Sequence, residues 1–383
     1  MRFVSDEPRD VADRACDRCL TRTWLLGALS GHLDRARATI DSLLKLDERA
    51  LIAAIGGRRR EQLRRELNEF DHRAARRNAE RAGVELICRC DPGYPDRLRE
   101  LAAPPAVLHV AGGLDRFLLG AAGDAVAVVG ARAASPYGIA VARSLGRGLA
   151  AADLTVISGM AAGIDAAAHA GALSILPADG GPSPRAREFP LTLAVLPGPA
   201  DRPYPKVNRH LYRELCAVGA AVSELPPGSR VRSWMFPARN RIIAGLGAMT
   251  VVVEAGKRSG SLVTARFARE LGRPVGAVPG RVTSPQAVGS NSLLRGGAAL
   301  VRGPQDVLDL LFEAGSRVVP VDHRPQLNSE LSELLQAIGA GHDTPAALSR
   351  RGLLGERALA ALATLELSGY IRRESGGRYG VVP

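Results

Sequence analysis

The chain has 383 residues, 46% of them apolar, so it is long enough for two or three domains with a sizeable core. Its longest apolar run, residues 242–253, is too short to span a bilayer, and residues 1–10 contain no apolar segment typical of a secretory signal. Because five cysteines are too few for a disulfide framework in a chain of this size, we expect a cytoplasmic protein without a membrane partner.

The formal net charge of +12 is concentrated in one part of the chain. Residues 125–312 contain 21 Lys and Arg against 11 Asp and Glu, a net of +10. The same count is 22 against 20 in residues 1–124 and 6 against 6 in residues 326–383. A domain with such a basic excess usually binds a polyanion, most often nucleic acid.

Residues 1–90 are predicted to form a small helical domain similar to SAM or helix-hairpin-helix domains. Residues 23–46 have apolar side chains at helical spacing, and residues 51–57 end in two glycines that stop a helix. Residues 58–83 mix arginine with glutamate, which is typical of a solvated helix face with Glu–Arg pairs.

Four of the five cysteines form two close pairs, Cys16-x-x-Cys19 and Cys88-x-Cys90. Zinc knuckles use pairs of this kind, although a single intervening residue is fewer than the common spacing. Two interpretations stay open: free thiols that are close only in sequence, or a structural zinc that joins the N-terminal segment to the strand before residue 90. Apart from this zinc, the sequence indicates no cofactor.

Residues 91–312 are predicted to form an α/β domain. Five apolar segments rich in β-branched residues are each followed by a Gly-rich loop and then by a helical pattern. They are residues 125–130, 154–159, 191–198, 249–256 and 274–280. This alternation indicates a mainly parallel sheet with helices on both faces, and the loops after its strands share one edge, where ligands bind.

The predicted topology brings basic and small polar residues to that edge. The basic side chains are Arg132, Arg202, Lys206, Arg239, Arg241, Lys257, Arg258 and Arg281. The glycine and serine positions that can face phosphates are Gly130, Ser158, Gly159, Ser259, Gly260 and Ser261. Together they predict a basic crevice for an anionic ligand.

The segment FPARNRIIAGL, residues 236–246, sets Arg239, Asn240 and Arg241 at the head of a predicted apolar helix, with no acidic residue nearby in the sequence. Helix N-termini disfavour cations and favour anions, so we expect an external anion to complete the site. The alternative stays open that at least one of these arginines braces loops through carbonyl oxygens.

The motifs of common nucleotide enzymes are missing from this domain. The loop VVGARAASPYG lacks the G-x-G-x-x-G spacing of dinucleotide folds, and EAGKRSGS is not a Walker A loop. Ser158, Asp165 and His169 are the residue types of a hydrolase triad, but no G-x-S-x-G elbow accompanies them. We expect Asp165 to brace its loop and His169 to pack locally, and we do not expect an enzyme.

Residues 313–325 are predicted to form a linker and residues 326–383 a winged-helix domain. Three helical patterns, one beginning at Thr344 and Pro345, precede a hairpin that turns at Gly376–Gly377. The neutral charge balance argues against strong DNA reading by this domain, because phosphate contacts need cations. A role as an interaction adaptor is an alternative for the chain.

Seven motifs of the middle domain occur together in a specific order. They are VAVVGARAASPYG, SGMAAGIDAAAHAGAL, DRPYPKVNRHL, SELPPG, FPARNRIIAGL, VVVEAGKRSGSLVTA and GSNSLLRGGA. In this order they resemble the DNA-processing protein A family, DprA, also called Smf. The resemblance implies an extended Rossmann-like domain that binds single-stranded DNA, works as a dimer and loads the RecA recombinase. It also implies protection of incoming DNA in natural transformation and homologous recombination.

The resemblance also carries roles to individual positions. Arg132 matches the family's arginine that grips the DNA backbone, and Lys206 and Asn208 fall where the family lines the same pocket. The remaining matches are Arg239, Asn240 and Arg241 in the family's RRNRIIAGL signature and Ser259, Gly260 and Ser261 in its SGSL loop. The chain departs from the family at Ala162, where an arginine is usual, and at Pro199 and Ala200, so that Arg202 is a candidate to supply a phosphate contact.

A nucleotide-processing enzyme of the same fold class is the alternative function. Phosphoribohydrolases with related domains carry the signature PGGxGTxxE, whereas the matching segment here is EAGKRSGSLVTA. It lacks the glutamate that such chemistry needs as an acid or base.

Overall fold

The computed structural model describes residues 14–176, 190–320, 327–353, 358–374 and 376–381. Residues 1–13 of the predicted N-terminal domain and residues 321–325 of the predicted linker lie outside the described residues. No helix in the described ranges is long and apolar enough to cross a membrane.

Between residues 14 and 84 the chain forms a group of six short helices. They are α1 (Asp17–Ala28), α2 (Ser30–Arg35), α3 (Ile40–Leu44), α4 (Glu48–Ile55), α5 (Arg60–Asn68) and α6 (His72–Arg81). Leucines and isoleucines of α1 to α5 contribute to one apolar cluster that also contains Trp234 and Met235 of the next part of the chain. Trp234 fixes the contact, since its Nε1 donates to Ser30 Oγ at 2.9 Å and its backbone N–H to Asp34 Oδ1 at 3.0 Å. The helical group therefore supports the segment that leads into FPARN.

A nine-stranded sheet forms the centre of the described structure, in the order β1-β2-β6-β5-β4-β3-β7-β8-β9. Its strands are β1 (Glu85–Cys88), β2 (Val107–Ala111), β3 (Ala125–Val129), β4 (Thr155–Ser158), β5 (Thr192–Val195), β6 (Ala220–Ser223), β7 (Met249–Val252), β8 (Val275–Ala277) and β9 (Ala299–Leu300). All neighbours from β6 to β9 pair in parallel, whereas β2 is antiparallel to both β1 and β6. The predicted mainly parallel α/β sheet is confirmed.

The sheet begins earlier than the predicted boundary after residue 90, because β1 pairs with β2 along Glu85↔Val110 to Cys88↔Val107. The five segments that the sequence marks as strands correspond to β3, β4, β5, β7 and β8. β1 is the strand that the sequence places before residue 90, whereas the short strands β2, β6 and β9 were not marked.

Helices cover both faces of the sheet, as predicted. They are α7 (Asp96–Arg99), α8 (Leu114–Ala122), α9 (Pro136–Ala151), α10 (Ile164–Leu173), α11 (Arg209–Val218), α12 (Met235–Leu246), α13 (Ser261–Glu270), α14 (Val288–Arg295) and α15 (Pro304–Leu311). Alternate residues of β3 separate the two layers: Ala125 and Ala127 pack with α8, α12 and α13, while Val126 and Val128 pack with α9, α10 and α15. The core therefore lies on both sides of β3, and the loop after β3 emerges between the layers.

The last described part is a separate small unit with its own apolar cluster. It contains α16 (Ser329–Gly339), α17 (Pro345–Arg350) and α18 (Ala358–Leu367), followed by the antiparallel pair β10 (Ile371–Glu374) and β11 (Arg378–Val381). Thr344 caps α17 by accepting from the N–H of Ala347 at 3.2 Å. Gly376 and Gly377 both have positive φ, which only glycine adopts easily. Assignment of this unit to the winged-helix class stays a prediction.

Candidate nucleic-acid interface

The centre of the candidate site is the point where the chain reverses its direction of travel across the sheet. After β3 the chain moves to β4 on one side, whereas after β7, which pairs with the other side of β3, it moves to β8. Crevices at such a switch point, outside the carboxyl ends of the strands, are the usual ligand sites of parallel sheets. We call the rim the loops at this edge, residues 130–135, 159–163, 196–208, 253–261 and 278–284, together with residues 236–240 of α12.

A cavity of about 320 Å³ opens at the switch point. Its wall includes Gly130 and Arg132 after β3, Phe236 and Asn240 on α12, and the 259–261 turn before α13. The rim thus brings together, in one cavity, motifs that are more than a hundred residues apart in sequence.

Arg132 lies across the ring of Phe236 at the mouth of this cavity. Its Cζ is 4.6 Å from the ring centroid, within cation–π distance, and the side chain is exposed. Tyr204 meets the other edge of Phe236, with ring centroids 5.6 Å apart and an interplanar angle of 64°. A second cavity of about 170 Å³, lined by Tyr204 and Ala162 among others, shares Arg132 and Phe236 with the first. The two cavities therefore adjoin each other along Arg132 and Phe236.

Arg239 forms the floor of both cavities and is neutralised from within the protein. Its Nη2 lies 3.5 Å from Asp165 Oδ2, and the two side chains are 8% and 7% exposed. Burial lowers the pKa of the Arg239 guanidinium, and the Asp165 carboxylate opposes that change. Burial raises the pKa of Asp165, and Arg239 opposes it in turn. Gly159 makes room for the guanidinium, since a Cβ there would lie 1.4 Å from Nη1 of Arg239.

Arg241 points into the protein. Its Nη2 donates to Glu224 Oε1 at 2.7 Å, and its other donors reach the carbonyl oxygens of Ala103 at 3.0 Å and Ala238 at 2.7 Å. The side chain is only 5% exposed. These contacts are the internal bracing that the sequence left open as an alternative.

The expectation that Arg239 and Arg241 lack acidic partners is wrong. Asp165 lies in the first turn of α10 and Glu224 directly after β6, and they reach the arginines only through the order of the strands. The expected position at a helix head is also wrong for Arg239, because α12 begins at Met235 and Arg239 is beyond its first turn. The free N–H groups of that helix end belong to earlier residues.

The remaining small polar residues hold the rim loops in place. Asn240 Nδ2 donates to the carbonyl oxygen of Gly260 at 3.1 Å, which ties α12 to the loop after β7. The hydroxyls of Ser259 and Ser261 are 2.8 Å apart at the start of α13. Asn208 Nδ2 donates to the Met160 carbonyl oxygen at 2.8 Å, which joins two neighbouring rim loops.

Ser158 lies inside the sheet and does not face the crevice. Its hydroxyl donates to the Val128 carbonyl oxygen at 2.6 Å, and the residue is fully buried. His169 is bonded elsewhere, with Nδ1 2.6 Å from Thr192 Oγ1, and burial lowers its pKa to about 3. Asp165 is paired with Arg239 and also interacts with the Ser158 side chain, whereas His169 is bonded to Thr192.

Exposed cations lie on the loops of the rim. They are Arg132, Arg202, Lys206, Lys257, Arg258 and Arg281. Arg202 has an acidic neighbour, Asp201, 3.4 Å away. Within the described ranges no ion pair involves Lys206, Lys257 or Arg258, so their charges face solvent.

Glu254 is a site residue that the sequence did not single out. It follows β7, is 4% exposed, and accepts from the Ser135 N–H at 2.8 Å and the Ser135 hydroxyl at 2.6 Å. Ser135 in turn caps α9 through the Gly138 N–H. Glu254 thereby fixes the loop that carries Arg132, and an acidic residue directly after a buried strand was the available signal.

Comparison with known proteins places this site in a family. The profile of the family described as DNA recombination-mediator protein A matches residues 85–312. The chain is 35% identical over 298 residues to protein Smf of Escherichia coli, covering 74% of each chain. It is 39% identical over 218 residues to the DNA processing protein DprA of Streptococcus pneumoniae, covering 57% of this chain and 71% of that protein.

A solved structure is similar over most of the fold. The DNA processing protein A of Streptococcus pneumoniae superposes with a TM-score of 0.59 at 30% identity, covering 77% of this chain and 98% of that one. Profile, sequence and fold agree with the seven ordered motifs. The chain belongs to the DNA recombination-mediator protein A family, whose members are the DNA-processing proteins called DprA or Smf.

Proposed function

We propose that the rim binds the backbone of single-stranded DNA. The observation that supports this most is the exposed Arg132 on Phe236, which lines two cavities, with Lys206, Lys257 and Arg258 exposed on other rim loops. Cations without acidic partners suit a phosphate backbone, because the affinity of a protein for nucleic acid comes largely from neutralising phosphates. Membership in a family of DNA recombination mediators agrees with this ligand.

The same surface favours single strands over duplex. Phe236 and Tyr204 meet edge to ring beside the cavities, where an unpaired base can stack on an aromatic face. A duplex keeps its bases stacked inside and offers no base face to such a surface. Because aromatic residues make up only 4% of the chain, charge must supply most of the affinity.

The site favours binding over catalysis on nucleotides. Among the described residues that line the 320 Å³ cavity, the carboxylate is Asp165, and it is paired with Arg239 at 3.5 Å. Glu254 is bonded to Ser135 and belongs to the loop support. A general acid or base needs a carboxyl group within reach of the substrate, and neither of these is free for that role.

Two further proposals rest on the family: that two copies of the chain associate, and that the DNA-bound protein loads RecA. Light scattering of the purified chain should give the mass of two copies. RecA should hydrolyse ATP sooner on single-stranded DNA when the chain is present. A monomeric mass would contradict the first proposal, and an unchanged delay before RecA hydrolyses ATP would contradict the second.

The proposal of single-strand binding is tested by fluorescence anisotropy of labelled oligothymidylate and of a matched duplex across a salt series. We expect a preference for the single strand and an affinity that falls steeply with salt. The double variant Lys257→Ala/Arg258→Ala should reduce the slope of log K against log salt by about 1.4, at roughly 0.7 per phosphate contact. The matched control, Arg64→Ala/Arg65→Ala on α5, removes two adjacent exposed arginines and should leave the slope unchanged.

Equal affinity for the two DNA forms would overturn the proposal. So would weak binding of both together with release of free base from a nucleoside monophosphate, which is the outcome expected for the phosphoribohydrolase alternative.

A further inference from the structure

We propose that Cys16, Cys19, Cys88 and Cys90 bind one structural Zn²⁺. The four Sγ atoms all lie within 4.8 Å of one another. The Sγ atoms of Cys19 and Cys90 are 3.7 Å apart, and those of Cys88 and Cys16 are 3.9 Å apart. A tetrahedral zinc with Zn–S bonds of about 2.3 Å requires sulfur atoms about 3.8 Å apart. The cluster therefore already has the dimensions of a Cys₄ zinc site.

The backbone holds these sulfurs together from two distant segments. Cys16 immediately precedes α1 and Cys19 lies in its first turn, while Cys88 ends β1 and Cys90 lies in the following turn. The N–H of Cys88 donates to the Arg14 carbonyl oxygen at 2.9 Å, so the two segments lie side by side. The convergence is thus a property of the fold and does not arise from neighbours in sequence.

Further bonds orient the ligands. The N–H of Cys16 donates to Cys88 Sγ at 3.4 Å, the type of backbone donation that stabilises a metal-bound thiolate. The Asp91 carboxylate, next to Cys90, accepts from Arg14 Nε at 3.3 Å and Nη2 at 3.2 Å. This ion pair therefore joins the segment before Cys16 to the turn after β1, which carries Cys90.

The ligand set identifies the metal class and its role. Four thiolates are soft ligands that select zinc among the common divalent ions, and a site in which the protein supplies all four ligands has no open position for chemistry. Cys19 and Cys88 are 1% and 2% exposed and lie in an apolar cluster with Leu20 and Val107, whereas Cys16 and Cys90 are exposed. A metal could therefore enter from the solvent side and would then be anchored in the core.

The ion would join α1 to β1 across about seventy residues of chain, since Cys19 and Cys90 are 71 positions apart. The N-terminal helices pack on Trp234 and Met235, directly before Phe236 of the rim. In small metal sites the binding free energy contributes directly to folding. Zinc would thus stabilise the helical group against the sheet without taking part in DNA contacts.

The test uses the full chain, purified without chelators, with metal content measured by plasma mass spectrometry. We expect one zinc per chain in the wild type and in the control Cys216→Ser, which replaces the cysteine outside the cluster. Cys19→Ser and Cys90→Ser should both lose the zinc; Cys90 is exposed, so its variant is expected to fold. Cobalt-substituted wild type should show the absorption of a tetrahedral thiolate site, and Cys90→Ser should not.

Stability provides the second measurement. A strong zinc chelator should lower the melting temperature of the wild type and of Cys216→Ser by about 5 °C or more, and should leave Cys90→Ser unchanged. Substoichiometric zinc, with five alkylatable thiols and no effect of chelator or added zinc, would overturn the proposal. Disulfides found by mass mapping, or iron in place of zinc, would overturn it as well.

Discussion

Replacing Arg132 by alanine is expected to weaken binding of single-stranded DNA by about tenfold or more at moderate salt, since hydrogen bonds to a charged group contribute about 1.5–3 kcal/mol. Arg132 is exposed, lies across Phe236 with 4.6 Å between Cζ and the ring centroid, and lines both cavities of the rim. Its loss removes the cation from the place where the two cavities meet. Anisotropy of a labelled oligonucleotide at fixed salt measures the effect.

The matched control for this substitution is Arg116→Ala. Arg116 is an exposed arginine of the same domain, but it donates to the Gly112 and Cys216 carbonyl oxygens, near the start of β6 at the opposite edge of the sheet. The Arg116→Ala variant should bind DNA with the affinity of the wild type. Arg132→Lys should be intermediate, because lysine keeps the charge and loses the planar fork that pairs with phosphate. Equal losses in Arg132→Ala and Arg116→Ala would mean that only net charge matters.

Replacing Asp165 by alanine is expected to destabilise the protein by about 3–5 kcal/mol, because it leaves a buried arginine without its counter-charge. Asp165 and Arg239 are each less than a tenth exposed, and the Arg239 Nε has no hydrogen-bond partner among the described residues. With Asp165 gone, the guanidinium must leave the floor of the cavities or remain there unpaired. Denaturant unfolding followed by tryptophan fluorescence measures the loss.

Two further variants serve as the control and the rescue for Asp165→Ala. Glu270→Ala breaks the half-exposed pair of Arg266 and Glu270, 2.7 Å apart, and should cost at most about 0.5 kcal/mol. The double variant Asp165→Leu/Arg239→Met removes both charges and should recover much of the stability, because an apolar pair of similar volume replaces a buried ion pair at little cost. If Asp165→Ala lowers the free energy of unfolding by no more than Glu270→Ala does, the buried pair of Asp165 and Arg239 does not stabilise the fold as we expect.

The sequence predicted well those features that depend on local pattern. Apolar strands followed by glycine loops specified the parallel sheet, and the common edge of their loops placed Arg132, Lys206 and Lys257 on one rim. The spacing of the two cysteine pairs gave a shared zinc as one of two open interpretations. What it could not supply was the register of β1 on β2 and the bond between Arg14 and Cys88 that bring the pairs together.

The pairing of Arg239 and Arg241 with acidic residues was beyond prediction for a physical reason. Asp165 and Glu224 meet Arg239 and Arg241 only after the crossovers have ordered the strands, and no local pattern in the sequence marks such long-range partners. The two arginines also separate on α12: one turns to the cavity floor and the other to the Ala103 carbonyl oxygen. The two arginines of this motif therefore have different roles: Arg239 lines the cavities of the rim, and Arg241 braces the interior.

The most direct test of the rim as the DNA site is photochemical cross-linking of an oligonucleotide that carries 5-iodouracil, with the attached peptides identified by mass spectrometry. Our account predicts cross-links at Phe236 and Tyr204, lost when unlabelled single strand competes and retained when duplex competes. Cross-links confined to residues 14–84 or 327–381, with none on the rim, would contradict it.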